Sequence, residues 1–263
     1  MTAYLYLVKT QWLTALTYRS EILTSVLANT IAMLASVFLW RAAYTASPVV
    51  ADIAEPQMIT YVLVATFMGA CMSGTVEQTL QNRITQGDIA VDLIRPVSLV
   101  GSYLAVDVGL SLSACVTRLI PLLGLAVLMF QLPVPASLAG FLAFILSMVF
   151  GFLILWLITA LVALLCFWYV QLGNLGAVKD GFILLLSGRI IPAWFLPEPL
   201  QKVLQVLPFQ HIYQTPLSLY IGKTTLRDAV PVLLIQLLWV LGLALLIDQT
   251  WRQGRKRLQS MGG

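Results

Sequence analysis

The chain has 263 residues, of which 60% are hydrophobic and only 10% charged, with a formal net charge of +4 and a mean hydropathy of +0.92. Soluble domains carry about 25% charged residues, and without such a surface a chain of this length does not stay in solution. The composition excludes an ordinary soluble domain and places the chain in a bilayer.

At the N-terminus, Leu5, Val8, Trp12 and Leu16 recur at helical spacing, with Lys9, Thr10, Thr14 and Thr17 elsewhere on the wheel. Residues 1–21 are therefore predicted to form an amphipathic interfacial helix. No basic first segment and no small-residue cleavage site mark a removable signal. Six spans follow, at about residues 22–42, 57–76, 103–130, 137–163, 174–192 and 229–248. A spanning helix needs roughly 20 apolar residues in a row. Glu21 and Arg41 bracket 19 uncharged residues, Glu55 and Glu77 bracket 21, and Asp228 and Asp248 bracket 19. The 60 uncharged residues between Arg118 and Lys179 are too many for one crossing, and Gln131-Leu132-Pro133-Val134-Pro135 supplies the break within them.

Between spans two and three, residues 77–102 hold Glu77, Arg83, Asp88, Asp92 and Arg95. Thr79 to Ile84 can be helical, Gly87-Asp88 breaks the helix, and Arg95-Pro96 closes the loop. Between spans five and six, residues 192–228 contain Pro192, Pro197, Pro199, Pro208 and Pro216. There Leu200, Val203, Leu204 and Leu207 fall at i, i+3, i+4, i+7, the pattern of a short amphipathic helix in a re-entrant outer segment. The tail, residues 249–263, carries Arg252, Arg255, Lys256 and Arg257, and an excess of Lys and Arg marks the cytoplasmic side. Nine Lys and Arg fall inside on this topology against five outside, with both termini cytoplasmic.

Most short motifs carry little chemistry. Gly222-Lys223-Thr224 lacks the glycine five residues upstream that a phosphate-binding loop needs, that position being Leu217. Cys71, Cys115 and Cys166 lie in apolar stretches and read as packing residues, and His211 is the single histidine, so no metal centre is expected. No G-x-S-x-G or H-E-x-x-H pattern marks a membrane hydrolase. Ala70 with Gly74, and Ser147 with Gly151, let helices approach closely. Charges inside apolar spans point to function because isolated burial in lipid is costly. Arg118 and Asp107, both on span three and three turns apart, are candidates for a translocation path or gate. Trp194 and Phe195, in the re-entrant segment, are candidates for substrate contact in the same path.

The order and spacing of these segments resemble the ABC-2 class of exporter permeases, in its bacterial six-span branch. The resemblance rests on the amphipathic start, on Gln86-Gly87-Asp88 to Leu93-Ile94-Arg95-Pro96, and on Ser187-Gly188-Arg189-Ile190-Ile191-Pro192 with Phe195-Leu196-Pro197. Leu207-Pro208-Phe209 and the stretch from Pro216 to Gly222 complete it. It implies an all-α polytopic membrane protein, a single ABC-2 transmembrane domain over residues 1–263, in the bacterial inner membrane. It implies an ABC ATPase subunit that binds ATP and Mg, so the permease itself holds no cofactor and no catalytic residue. That subunit would dock on a coupling helix within residues 77–95, with Glu77, Arg83, Gly87, Asp88 and Arg95 as the coupling candidates. A second permease completes a homodimer or heterodimer, membrane lipids surround it, and no nucleic acid is expected. The implied activity is ATP-driven export of a lipophilic or amphipathic compound such as a drug, lipid or lipid-linked product. Export of a lipid-linked polysaccharide and ion-gradient transport through Asp107 stand as alternatives.

Overall fold

A computed structural model describes residues 2–45, 49–72, 74–89, 92, 98–130, 137–169 and 173–261. The chain begins with α1 (Thr2–Ala15) and α2 (Arg19–Tyr44), the latter with Glu21 in its first turn, where the helix dipole favours an acid. A two-residue hairpin, β1 (Val49–Val50) and β2 (Ile53–Ala54), turns through Ala51 and Asp52, both at positive φ. Next comes α3 (Glu55–Cys71), started by Pro56 in its first turn and by the Gln57 side chain accepting from the Ala54 N–H at 3.1 Å. Nearly every α3 side chain from Met58 to Cys71 is buried, so α3 is the central pillar of the fold.

After α3 the chain turns into a short polar helix, α4 (Val76–Thr85). The third long helix is α5 (Leu99–Ala114), a π turn at Cys115–Leu119, and α6 (Ile120–Met129). The π turn has a local cause. Pro121 lacks an N–H and its ring collides with the carbonyl four residues back, and widening the turn by one residue accommodates both. Helix α7 (Leu138–Leu164) starts on Ser137, whose Oγ accepts from the Gly140 N–H at 3.0 Å. Then follow α8 (Leu175–Leu186), α9 (Glu198–Val206), α10 (Gln214–Tyr220) and the long α11 (Leu226–Met261).

Among the described residues, five helical stretches are long and apolar enough to cross a membrane: Arg19–Tyr44, Glu55–Thr85, Leu99–Met129, Leu138–Phe167 and Leu226–Lys256. Their outward faces expose large apolar side chains, among them Leu128 at 84% and Leu23 at 70%, as contact with hydrocarbon requires. The expected fifth span at 174–192 is observed as a helix of 12 residues. At 1.5 Å per residue that is about 18 Å, little more than half of a ~30 Å hydrocarbon core. It stops at Ser187 because Gly188 takes φ +77° and Pro192 follows. The last helix, by contrast, does not end at residue 248 but continues through the basic tail, where Arg252 pairs with Asp248 at 2.8 Å.

Helix α1 also differs from expectation. It packs along α5, with the Val8 backbone so close to Gly109 that an added Cβ would sit 2.6 Å from the Val8 carbonyl. The Tyr4 hydroxyl accepts from the Ser98 N–H at 3.1 Å. The half-buried stripe is Tyr4, Leu7, Val8, Gln11, Trp12 and Ala15, which keeps the expected Val8 and Trp12, while Leu5 is 64% exposed and Leu16 lies at the surface. The break at Gln131–Pro135 lies outside the described residues.

The two ends of the bundle are distinct. At one end α4 packs on α7, and the tail joins it there, with Trp251 5.5 Å from Phe167 and Gly254 against the same ring. At the other lie the hairpin, the Lys223 ammonium donating to the Ala51 carbonyl at 3.1 Å, and Arg41 over the Phe130 ring.

Candidate functional site

The sequence α4 needs is short and polar. Its apolar residues Val76, Leu80 and Ile84 recur at i, i+4, i+8 and give one buried edge, with Val76 and Leu80 fully inside. Gln78, Asn82 and Thr85 fall on the opposite side and are exposed. Gly87 ends the segment at φ +80° with open space around it, a conformation glycine adopts without strain. The first turn of α4 is fastened at two points. The carboxylate of Asp107, on α5, accepts from the N–H groups of Thr75 and Val76, and the Trp156 indole on α7 donates to it at 2.8 Å. Glu77 pairs at 2.5 Å with Lys179 on α8, and the two side chains are only 18% and 9% exposed.

At the opposite end, the segment between α8 and α11 is held by polar groups buried in otherwise apolar helices. The Tyr61 hydroxyl on α3 donates to the Gly188 carbonyl at 2.6 Å. The Gln214 backbone N–H donates to the Ser187 carbonyl at 3.0 Å, and its side-chain oxygen accepts from the Ala193 N–H at 2.7 Å. Gln236 on α11, fully buried, donates to the carbonyls of His211 and Ser147 at 2.8 and 3.1 Å and accepts from the Ser147 hydroxyl at 2.9 Å. Gly151 on α7 lets the Ile212 carbonyl approach. The segment is thereby keyed into α3, α7 and α11 together.

A polar helix is thus mounted on membrane helices at one end of the bundle, and the segment between α8 and α11 is keyed into α3, α7 and α11 at the other. The family profile described as ABC-2 family transporter protein matches residues 30–262. The chain belongs to the ABC-2 transporter family. No curated protein and no solved structure gives a significant match. Membership makes the chain a membrane transport component, a permease without a catalytic site of its own that associates with an ABC ATPase subunit.

In the permease, the residues singled out by sequence are dispersed over both ends. Glu77 points inward to Lys179. Arg83 is committed to Asp88 and Asp92, each at 3.4 Å, and Asp92 is 5% exposed. Asp88 is exposed, and Arg95 lies outside the described residues. Arg118 sits in the π turn and lines a cavity of about 500 Å³ with Gln11, Tyr18, Glu21, Ser113 and Thr117. Asp107, on the same long helix, does not line that cavity. Phe195 stacks 5.0 Å from Trp40, and Trp194 meets Tyr61 edge-on at 5.3 Å with the Lys223 ammonium 4.9 Å from its ring. Sequence reasoning missed Tyr61, Trp156, Lys179, Gln214 and Gln236. The available signal was a polar group inside an apolar run, most plainly Gln236 in Leu234-Ile235-Gln236-Leu237-Leu238.

The position of Arg118 gives a direct comparison. Arg118→Ala removes a half-buried charge from the wall of the cavity that Glu21 also lines, whereas Arg252→Ala loses an exposed pair with side chains 69% and 51% exposed, worth about 0–1 kcal/mol. Recovery of folded permease from membranes and its transport activity should fall several-fold for Arg118→Ala and stay at wild-type level for Arg252→Ala. Equal, small effects would show that Arg118 is fully solvated.

Proposed function

We propose that this permease is the membrane half of an ATP-driven exporter in the bacterial inner membrane, and that α4 is the helix its ATPase partner pushes. The observation that carries the reading is the mounting of α4. It is a short polar helix fastened inward by Asp107 and Glu77, and it turns Gln78, Asn82 and Thr85 outward at the end of the bundle that holds the basic tail. The tail residues Arg252, Arg255 and Lys256 put that end in the cytoplasm by the positive-inside rule, which is where ATP and Mg bind the partner. The N-terminus lies on the same side, and α8 together with the folded-back segment makes the fifth of six crossings, with a re-entrant outer part. A second permease, identical or related, completes the path.

The cargo is a lipophilic or amphipathic compound such as a drug, lipid or lipid-linked product. The apolar exteriors of the helices and the half-polar cavity at Arg118 support this class, and a polysaccharide carried on a lipid belongs to it at the larger end. An ion-gradient mechanism loses its candidate, because all the hydrogen-bonding capacity of Asp107 is used by protein donors.

The docking surface differs from the charged one expected from sequence. Arg83 is occupied by Asp88 and Asp92, so reversing its charge perturbs the loop before it perturbs a partner. The uncharged row Gln78, Asn82 and Thr85 is the exposed alternative. Replacing these three by alanine should cut co-purification of the ATPase about tenfold or more, since a few central contacts carry most of an interface's energy. Membrane insertion should be unchanged. Wild-type recovery of the ATPase with the triple variant would move the contact away from α4.

A further inference from the structure

We infer that Asp107 is a positioning residue that clamps the driven helix α4 to the third and fourth long membrane helices, so that the three move as one body. The inference rests on the reading of α4 as the ATPase contact. Asp107 is 0% exposed on α5, and a carboxylate in that position needs compensation for every lone pair. It has it. Oδ1 accepts from the Thr75 N–H at 2.8 Å and the Thr75 hydroxyl at 2.9 Å. Oδ2 accepts from the Val76 N–H at 3.2 Å and the Trp156 indole N–H at 2.8 Å. Four donors match the roughly four acceptor positions of an ionised carboxylate.

The identity of the donors gives the clamp its direction. Thr75 is the N-cap of α4 and Val76 its first residue, yet no side chain within α4 caps them. An acid 31 and 32 residues further along the chain takes that role. The free N–H groups and the positive end of the dipole at a helix start favour a negative charge there. An asparagine side chain lacks the charge, and its NH₂ group would face donors. Trp156 brings in α7, so one carboxylate ties the start of α4 to α5 and α7. A push on the outer face of α4 then reaches two membrane helices through bonds that are buried and charge-assisted, the stronger class of hydrogen bond.

The test uses the permease with its ATPase in lipid vesicles, with spin labels on Gln86→Cys just after α4 and Leu112→Cys on α5, both exposed. With Asp107 present, the distance distribution should be single and should not change between nucleotide-free and ATP-vanadate states. Asp107→Asn should broaden it and make it nucleotide-dependent, and should lower permease-stimulated ATP hydrolysis by about fivefold or more, the lower range for coupling between sites. Co-purification of the ATPase should remain within about twofold of wild type, because the outer face of α4 is untouched. Thr75→Val and Trp156→Phe, each deleting one donor, should give intermediate broadening and serve where Asp107→Asn fails to fold. An unchanged narrow distribution in all three variants overturns the clamp. Loss of the ATPase in proportion to loss of folded protein, with a wild-type distance in what remains, also overturns it and leaves Asp107 a stability residue only. If instead alanines at Gln78, Asn82 and Thr85 leave ATPase binding intact while Asp107→Asn still loosens α4, the docking reading fails and the clamp stands.

Discussion

Gly151→Val is expected to unseat the folded-back segment and abolish transport. A Cβ at position 151 would lie 2.5 Å from the Ile212 carbonyl oxygen and 3.3 Å from both the Ile212 carbonyl carbon and the His211 oxygen. All three are backbone atoms, so no rotamer change relieves the collision, and the segment must withdraw from α7. Overpacking a close-packed site costs about 1–3 kcal/mol, and here the backbone rather than a side chain has to move, so the upper part of that range applies. Withdrawal also pulls the His211 carbonyl away from Gln236, which adds an unpaired amide in an apolar surround. Gly242→Ala on α11 is the matched control, since nothing lies within 4 Å of its added Cβ. Thermal unfolding in detergent and transport in vesicles check the pair, with Gly151→Val melting well below both wild type and Gly242→Ala. Coincident melting curves for the two variants would mean that the segment does not rest on α7.

Much of this arrangement was legible as pattern and little of it as partnership. The charge-free runs bounded by Glu21 and Arg41, and by Asp228 and Asp248, anticipate α2 and the core of α11 because hydrocarbon tolerates no unpaired charge. Gly87 was readable as a break because few other residues accept φ +80°. The spacing of Ser147 and Gly151 signalled close packing, and both positions proved to receive other elements, the first Gln236 and the second Ile212. Partnership was hidden because it spans the chain. Glu77 reads as a surface charge until Lys179, 102 residues away, is placed beside it. Asp107 reads as a gate or ion site until Thr75 and Trp156 close around it. The stop of α8 at Ser187 depends on Tyr61 and Gln214 holding the Gly188 turn, contacts that no local pattern encodes. The length of a span is thus set partly by what the following turn can bond to.

Gln236→Leu should destabilise the permease by about 2 kcal/mol, through hydrogen bonds rather than packing. Leucine is at least as large as glutamine, so no cavity forms at this fully buried position. What it removes are the donors to the His211 and Ser147 carbonyls and the acceptor for the Ser147 hydroxyl. Interhelical hydrogen bonds in membranes average about 0.6 kcal/mol and reach about 1.7. Three lost at one residue therefore fall near the expected total. The Ser147 hydroxyl retains a route to its own helix, as serine does by bonding a carbonyl one turn back, but the His211 carbonyl has no such route. Most of the cost accordingly sits on the link between α11 and the folded-back segment. A double-mutant cycle separates the contributions: Ser147→Ala alone should cost less than Gln236→Leu, and adding it to Gln236→Leu should cost little more, giving an interaction of about 0.5 kcal/mol or greater. Unfolding free energies in detergent supply the four corners of the cycle. Strict additivity would show that Ser147 and Gln236 act independently, and a neutral Gln236→Leu would show that the His211 carbonyl is satisfied without α11.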